Sequence, residues 1–280
     1  MQVEAHAKIN WTLRVTGRRD DGFHDLETVF QEISLHDTLT IEPSSAFSLT
    51  CSDPTIPTDE RNLITRAFRL LAAPPVSIHL EKRIPSGGGL GGGSSDAAAT
   101  LVALSSMFSL SAPLDRLALQ LGSDVPFFLV GGTAYATGRG EVLTPLPSPG
   151  AIPLLLLFPR ERVSTADAFR QLRGFSPPLG FAHYRALDVL DAPELINDFE
   201  PPIFAARPAL AALRARLAAA GAAWAHMTGS GSTIVGAFRD VESRDAARVG
   251  FGDVRHVGAE CVTRRPSPGA SRHPLPMGEG

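Results

Sequence analysis

Pro85-Ser86-Gly87-Gly88-Gly89-Leu90-Gly91-Gly92-Gly93-Ser94-Ser95-Asp96 decides how this chain is read. Before it, Val76 to Ile84 alternates apolar and polar residues, as a strand does, and stops at Pro85. After it, Ala97 to Leu104 is rich in alanine and leucine, as a helix is. Glycines let the backbone approach an anion closely, and the first N–H groups of a following helix point toward it. A flexible linker has a similar composition, but linkers are not set between a proline-stopped strand and a well-formed helix. The stretch reads as a loop that holds a polyphosphate.

Several known phosphate loops do not fit. A Walker A loop ends in Gly-Lys-Ser/Thr, and no lysine follows these glycines. Gly87, Gly89 and Gly92 satisfy G-x-G-x-x-G, but six glycines in seven positions meet that pattern almost by accident. The preceding strand carries Glu81, Lys82 and Arg83, unlike the buried first strand of a dinucleotide fold. No His-Arg-Asp or Asp-Phe-Gly follows, which excludes the protein-kinase loop.

Upstream, Val3, Ala5, Ala7, Ile9, Trp11, Leu13 and Val15 alternate with polar residues. This predicts a half-buried antiparallel strand with His6, Lys8, Asn10 and Thr12 on one polar face. A loop over 17–24 leads to a second strand-like stretch near Leu26. Asn62 to Ala72 reads as a helix, and Pro113 to Leu121 as another, closed by Gly122 in a left-handed cap. Ser123-Asp124-Val125-Pro126 looks like a helix start with Asp124 near the N-cap. Pro145 to Gly150 is the candidate linker. Beyond it come a strand over 154–158, a helix from about Thr165, a poorly patterned segment over 174–198 and a helix over 208–220. Two strands then flank Thr228-Gly229-Ser230-Gly231-Ser232, followed by a helix over 241–249 and a last strand near Val262. The interleaving predicts an α+β fold in two domains, 1–150 and 151–263, with a disordered tail over 264–280.

Composition limits the functions available. Hydrophobic residues at 44% and charged residues at 20% are globular values. A formal net charge of −3 argues against a broad grip on nucleic acid or anionic lipid. The two cysteines, Cys51 and Cys261, cannot frame a disulfide scaffold, and the N-terminus lacks an apolar leader. A cytoplasmic enzyme, monomeric or weakly dimeric and apart from membranes and nucleic acid, is the expectation.

Pro85…Gly89-Leu90-Gly91…Ser94-Ser95…Ala97-Ala98 resembles the phosphate loop of the small-molecule kinases named for galactokinase, homoserine kinase, mevalonate kinase and phosphomevalonate kinase, the GHMP kinases. Further blocks occur in the family's order: Ala7-Lys8-Ile9-Asn10, the run from Gly17 to His24, Leu90 to Ala98, Ser123 to Phe128, and Thr228 to Ser232. The resemblance implies a ribosomal-protein-S5-like N-terminal domain and a ferredoxin-like C-terminal domain, with ATP and an acceptor alcohol meeting between them. The block from Arg18 to His24 favours a branch whose acceptor is a cytidine diphosphate-linked polyol, over the homoserine and mevalonate branches. A catalytically silent nucleotide-binding module is the rival of another class, and the presence of Lys8 and Asp124 speaks against it.

The resemblance also implies roles. Asp124 would be the general base that takes the acceptor's proton, where position alone suggests a helix cap. Lys8 would sit beside it and neutralise charge on the transferring phosphoryl, where position alone suggests a lysine on a solvated strand. Pro85, Ser86, Gly87, Gly88, Gly89, Leu90, Gly91, Gly92, Gly93, Ser94 and Ser95 would hold ATP, with Asn62 and Lys82 at the adenosine. Asn10, Phe23 and His24 would read the acceptor, Phe23 standing where the family usually carries tyrosine. Phe169 is a candidate for the other side of the pyrimidine. Gly229, Ser230 and Gly231 would approach from the second domain. Mg²⁺ is expected with ATP, and no residue is assigned to it.

Overall fold

The computed structural model describes residues 1–263, so the expected tail over 264–280 lies outside the described residues. The chain opens with two long antiparallel strands, β1 (Gln2–Arg18) and β2 (His24–Pro43), paired from Gln2↔Thr40 to Arg18↔His24. Their register slips between His6 and Lys8, between Asn10 and Thr12, and between Val15 and Gly17. Such bulges re-aim side chains, and two of them bracket the Lys8–Asn10 stretch.

The alternation of β1 is real, but its polar face is not solvated. His6, Lys8, Asn10, Thr12 and Arg14 are all buried, as are the apolar residues between them. The C-terminal half of the chain covers the part of that face from Asn10 to Arg14. Thr12 Oγ1 donates to the Ile196 carbonyl at 2.9 Å, and Arg14 Nη2 donates to that of Glu194 at 2.8 Å.

After β3 (Ser48–Cys51) come α1 (Leu63–Leu71), β4 (Val76–Glu81), α2 (Gly92–Met107), α3 (Leu114–Leu121), α4 (Val125–Val130) and the hairpin β5 (Thr133–Thr137) and β6 (Val142–Leu146). On the edge of β2 away from β1, β4 pairs with Thr38–Pro43 and β5 with Thr28–Gln31. The strand β3 adds in parallel to β4, and β6 closes the other side. The helices pack on this sheet through a core that includes Leu39, Ile64, Phe68, Ile78, Leu101 and Leu104.

In the C-terminal half, β7 (Pro153–Phe158) is followed by α5 (Thr165–Gln171), α6 (Phe181–Ala186), α7 (Glu200–Ala206) and α8 (Pro208–Ala219). The chain continues through β8 (Trp224–Met227), β9 (Ile234–Ala237), α9 (Val241–Arg248) and β10 (Arg255–Glu260). The second sheet has the order β10-β7-β9-β8, antiparallel throughout. Taken with α8 and α9 as the packed helices, this is the β-α-β-β-α-β ferredoxin-like arrangement.

The halves are joined backbone to backbone. Leu13 N donates to Ile196 O at 2.7 Å, and Asp198 N donates to Leu13 O at 2.9 Å. The buried Glu27 carboxylate of β2 accepts from Leu179 N (2.7 Å), Gly180 N (2.9 Å), Tyr135 OH (2.8 Å) and Tyr184 OH (3.0 Å). Four donors compensate the cost of burying one carboxylate, and three of them come from the C-terminal half.

Several local expectations change. The helix after the glycines starts at Gly92, not Ala97, so Ser94, Ser95 and Asp96 are helical residues. Gly122 is extended at φ 164 rather than left-handed. Residues 174–198 include α6, and Pro145 belongs to β6, an edge strand where a missing N–H is tolerated.

Candidate active site

A cleft of about 1500 Å³ opens between the two halves, with the glycine loop along one wall. The strand before the loop is pinned from below. Asp37 Oδ1 accepts from the backbone N–H groups of Arg83 (2.6 Å) and Ile84 (2.8 Å), while its Oδ2 takes the Lys82 ammonium. Lys82 Nζ also donates to Asp96 Oδ2 at 2.9 Å, and all three side chains are buried. Burial, opposed by Lys82, pushes the Asp96 carboxyl up to about 7. The two acids around it raise the Lys82 ammonium above its usual value against the effect of burial.

The loop itself needs glycine for two reasons. Gly89 and Gly91 have φ of 78° and 69°, a left-handed backbone that side chains disfavour. A Cβ on Gly89 would lie 2.2 Å from the Thr228 carbonyl oxygen, and one on Gly91 would lie 2.7 Å from Phe128 Cζ. The loop is thus packed against the Thr228–Ser232 turn, and Asn10 N donates to Thr228 Oγ1 at 3.0 Å to extend the same junction. Gly91 is the N-cap of α2, so the amides of Gly92, Gly93 and Ser94 are helix-start donors without intrahelical acceptors.

Across the loop lie Lys8 and Asp124. Lys8 Nζ is 3.6 Å from Asp124 Oδ2, donates to Asn10 Oδ1 at 2.7 Å, and sits 5.1 Å from the centre of the Phe30 ring. Burial lowers the Lys8 ammonium, and Asp124 opposes that effect. Asp124 occupies the N-cap position of α4, yet its side chain makes no capping hydrogen bond. Its carboxylate is partly exposed and turned to the lysine instead.

Other expected residues fall as follows. Pro85 to Ser94 line the cleft, but Ser95 does not. It is buried and lines a second hollow, because the earlier helix start turns it away from the loop wall. Asn62 and Lys82 line the cleft with their polar groups already engaged. Asn62 caps α1 through Ile64 N at 2.9 Å and donates to Pro57 O at 2.7 Å. Asn10 lines it too, but its side chain is held by Lys8, Thr28 and Thr228, which makes it a holder of the lysine. Gly229, Ser230 and Gly231 reach the cleft from the second sheet.

At the far end, Phe23 is exposed, with the Arg139 guanidinium 4.7 Å from its ring centre. His24 stacks on Phe169 at 4.7 Å and 20°. The rings touch, so a pyrimidine enters between them only if one moves. Partial burial, then the charge of Arg18, lowers the His24 imidazole below its ordinary value.

The sequence reading missed Asp37, Asp96, Arg139 and the ring of cationic residues. Arg18, Arg61, Arg139, Arg170 and Arg173 line the cleft with Lys8 and Lys82, against Asp96 and Asp124 alone among its lining acids. Most of these cations are paired with acids, Arg61 with Asp59, Arg139 with Glu141 and Arg170 with Asp167 among them, so the cleft offers many cationic donors to a phosphate-rich ligand without a large excess of charge. A carboxylate set among small apolar residues, as Asp96 is in α2, was the available signal.

Residues 62–132 match the family of the GHMP kinases N terminal domain, and residues 185–252 that of the GHMP kinases C terminal. A relative from Solibacter usitatus, a 4-diphosphocytidyl-2-C-methyl-D-erythritol kinase, is 44% identical over 256 residues, covering 85% of this chain and 81% of its own. Another of that description from Salinibacter ruber is 42% identical, covering 87% of this chain and 92% of its own. A crystal structure of 4-(cytidine 5'-diphospho)-2C-methyl-D-erythritol kinase superposes with a TM-score of 0.84 at 39% identity, covering 93% of this chain and 99% of that one. Fold, loop and matches define a GHMP kinase. Within that class the chain belongs to the family of the 4-diphosphocytidyl-2-C-methyl-D-erythritol kinases.

Proposed function

We propose that this protein transfers the γ-phosphoryl group of ATP to the 2-hydroxyl of 4-diphosphocytidyl-2-C-methyl-D-erythritol, a step of the non-mevalonate isoprenoid pathway. The observation that carries the reading is the Lys8–Asp124 pair, 3.6 Å apart and facing the glycine loop across one cleft. The helix-start amides of α2 and the loop backbone hold the phosphates, with cationic side chains around them. Asp124 takes the proton of the acceptor hydroxyl. Asn10 and Phe30 hold Lys8 where its ammonium steers that carboxylate and neutralises charge on the moving phosphoryl. Phe23, His24 and Arg139 form the end that takes the cytidine diphosphate portion, by stacking, hydrogen bonding and charge.

Mg²⁺ fits as a companion of the triphosphate. Such an ion uses one or two carboxylates with phosphate oxygens and water, and Asp124 is the partly exposed carboxylate on the cleft wall, Asp96 being buried against Lys82. Bound there it would neutralise charge on the phosphates. We place the boundary between the domains near residue 150 and the enzyme in the cytoplasm. No helix among the described residues is long and apolar enough to cross a membrane.

The test is ATP consumption with three acceptors offered separately: the cytidine diphosphate-linked methylerythritol, homoserine and mevalonate. Turnover is expected with the first alone. Comparable turnover of homoserine or mevalonate would remove the specific reading and leave a GHMP kinase of another branch.

A further inference from the structure

Away from the cleft, β1 and β2 bring two imidazoles and a carboxylate together. His6 and His36 are directly opposite in the strand register, with ring centres 5.3 Å apart. Glu4 reaches both: its Oε2 is 3.3 Å from His6 Nε2, and its Oε1 is 3.7 Å from His36 Nε2. The ligand atoms of the three residues lie within 4.8 Å of one another.

The second nitrogen of each ring fixes what the first can do. His6 Nδ1 is 3.0 Å from the Ile33 carbonyl oxygen, and His36 Nδ1 is 2.9 Å from that of Ser34. A carbonyl oxygen only accepts, so each Nδ1 carries the proton. In the neutral ring Nε2 then bears the lone pair, and both Nε2 atoms face the same carboxylate. This is how histidine metal ligands are oriented by outer partners. A divalent ion would take a lone pair from each Nε2 and one from the carboxylate. Tetrahedral bonds of about 2.0–2.1 Å put neighbouring ligand atoms roughly 3.3 Å apart; the His6–Glu4 contact is at that distance, the His36–Glu4 contact at 3.7 Å is slightly longer, and the set as a whole would draw in around an ion. The adjoining hollow carries Glu32 and Glu81, and its one arginine, Arg83, is paired with Glu81 at 2.8 Å.

We infer that Glu4, His6 and His36 form a binding site for a divalent transition metal of the zinc class, clipping the start of β1 to β2. Two imidazoles favour Zn²⁺ or Co²⁺ over Mg²⁺, which takes oxygen ligands. His6 is buried and Glu4 exposed, so a fourth position faces solvent.

The experiment is titration of the full chain with Zn²⁺ alone, followed calorimetrically, with Co²⁺ as a spectroscopic probe and no nucleotide present. Wild type should bind one equivalent saturably, give Co²⁺ the intense visible bands of a tetrahedral site, and lose neither to millimolar Mg²⁺. Glu4→Gln and His36→Gln alter side chains with exposed or partly exposed groups and leave the kinase cleft untouched. Each removes a direct ligand and should weaken Zn²⁺ by at least the roughly 10- to 100-fold that losing an outer-shell partner costs. Absence of saturable binding in wild type, or binding that both variants retain, would overturn the site.

Discussion

The two ends of the cleft are built in different ways. Behind the glycine loop, the charged groups are held by one another and by the backbone. Asp37 holds two amides and a lysine, Lys82 spans two carboxylates, and the loop leans on Thr228 and Phe128. At the Phe23 end, the phenylalanine is exposed, Arg139 lies over its ring, and His24 rests on Phe169 through ring contact. The first end is preorganised backbone over a buried ionic frame. The second is a set of side chains that can be cut away without opening the core. Mutations should therefore damage stability and nucleotide handling together at one end, and substrate recognition alone at the other.

The largest effect is expected at Gly89. Valine there would place Cβ 2.2 Å from the Thr228 carbonyl oxygen and demand a left-handed backbone that valine disfavours. Glycine-loop and turn would have to separate, so Gly89→Val should abolish ATP binding, measured by equilibrium dialysis, and lower the melting temperature as well. Retained nucleotide affinity in a folded variant would remove the loop from the phosphate site.

Next comes Asp124→Asn. Removing a general base lowers kcat by roughly 10²- to 10⁴-fold. Asp124 makes no capping bond, so the melting temperature should hold, and ATP affinity should change little. Near-normal turnover would return Asp124 to a structural role.

Lys82→Met tests the buried frame. It leaves Asp37 and Asp96 buried without their cation, and breaking a buried pair in this way costs about 3–5 kcal/mol. Urea unfolding should show that loss together with a raised KM for ATP. Asp96 adds a pH signature. Its folded value of about 7 lies above the ordinary carboxylate range, so the folded state binds the extra proton. Its contribution is full at low pH and is lost as pH rises from that ordinary range toward 7. Asp96→Asn should flatten this part of the stability curve, and an unchanged slope would mean that another group sets it.

How much of this was legible follows from the same contrast. The glycine loop could be read because its composition and its position between strand and helix carry the chemistry locally. Asp37 could not, because its partners are 45 to 47 residues away and no spacing announces them. The alternation of β1 revealed two chemically distinct faces, but it could not say that the C-terminal half covers the Asn10–Arg14 part of the polar one. Ser95 was assigned to the loop because the glycines of 92 and 93 disguised the helix start. Position alone suggested a cap for Asp124, and what no spacing could announce is that its carboxylate makes no capping bond and lies beside Lys8.

The smallest effect is expected at the other end, and it carries the specificity. Phe23→Ala removes an exposed ring, so stability should be unchanged within the few tenths of a kcal/mol usual for such sites. Loss of one aromatic stack on a base weakens binding by about 1–3 kcal/mol, and Arg139 loses the ring it lies over. The KM for the cytidine-bearing acceptor should rise accordingly, while that for ATP stays near wild type. Phe23→Tyr keeps the stacking face and should keep the affinity. The ratio of the two KM changes is the deciding quantity. A large ratio for Phe23→Ala, beside a small one for Lys82→Met, assigns the ends of the cleft to different ligands. Equal effects of Phe23→Ala on both ligands would make this loop a support for the cleft, and an effect on ATP alone would mean that the two ends are exchanged.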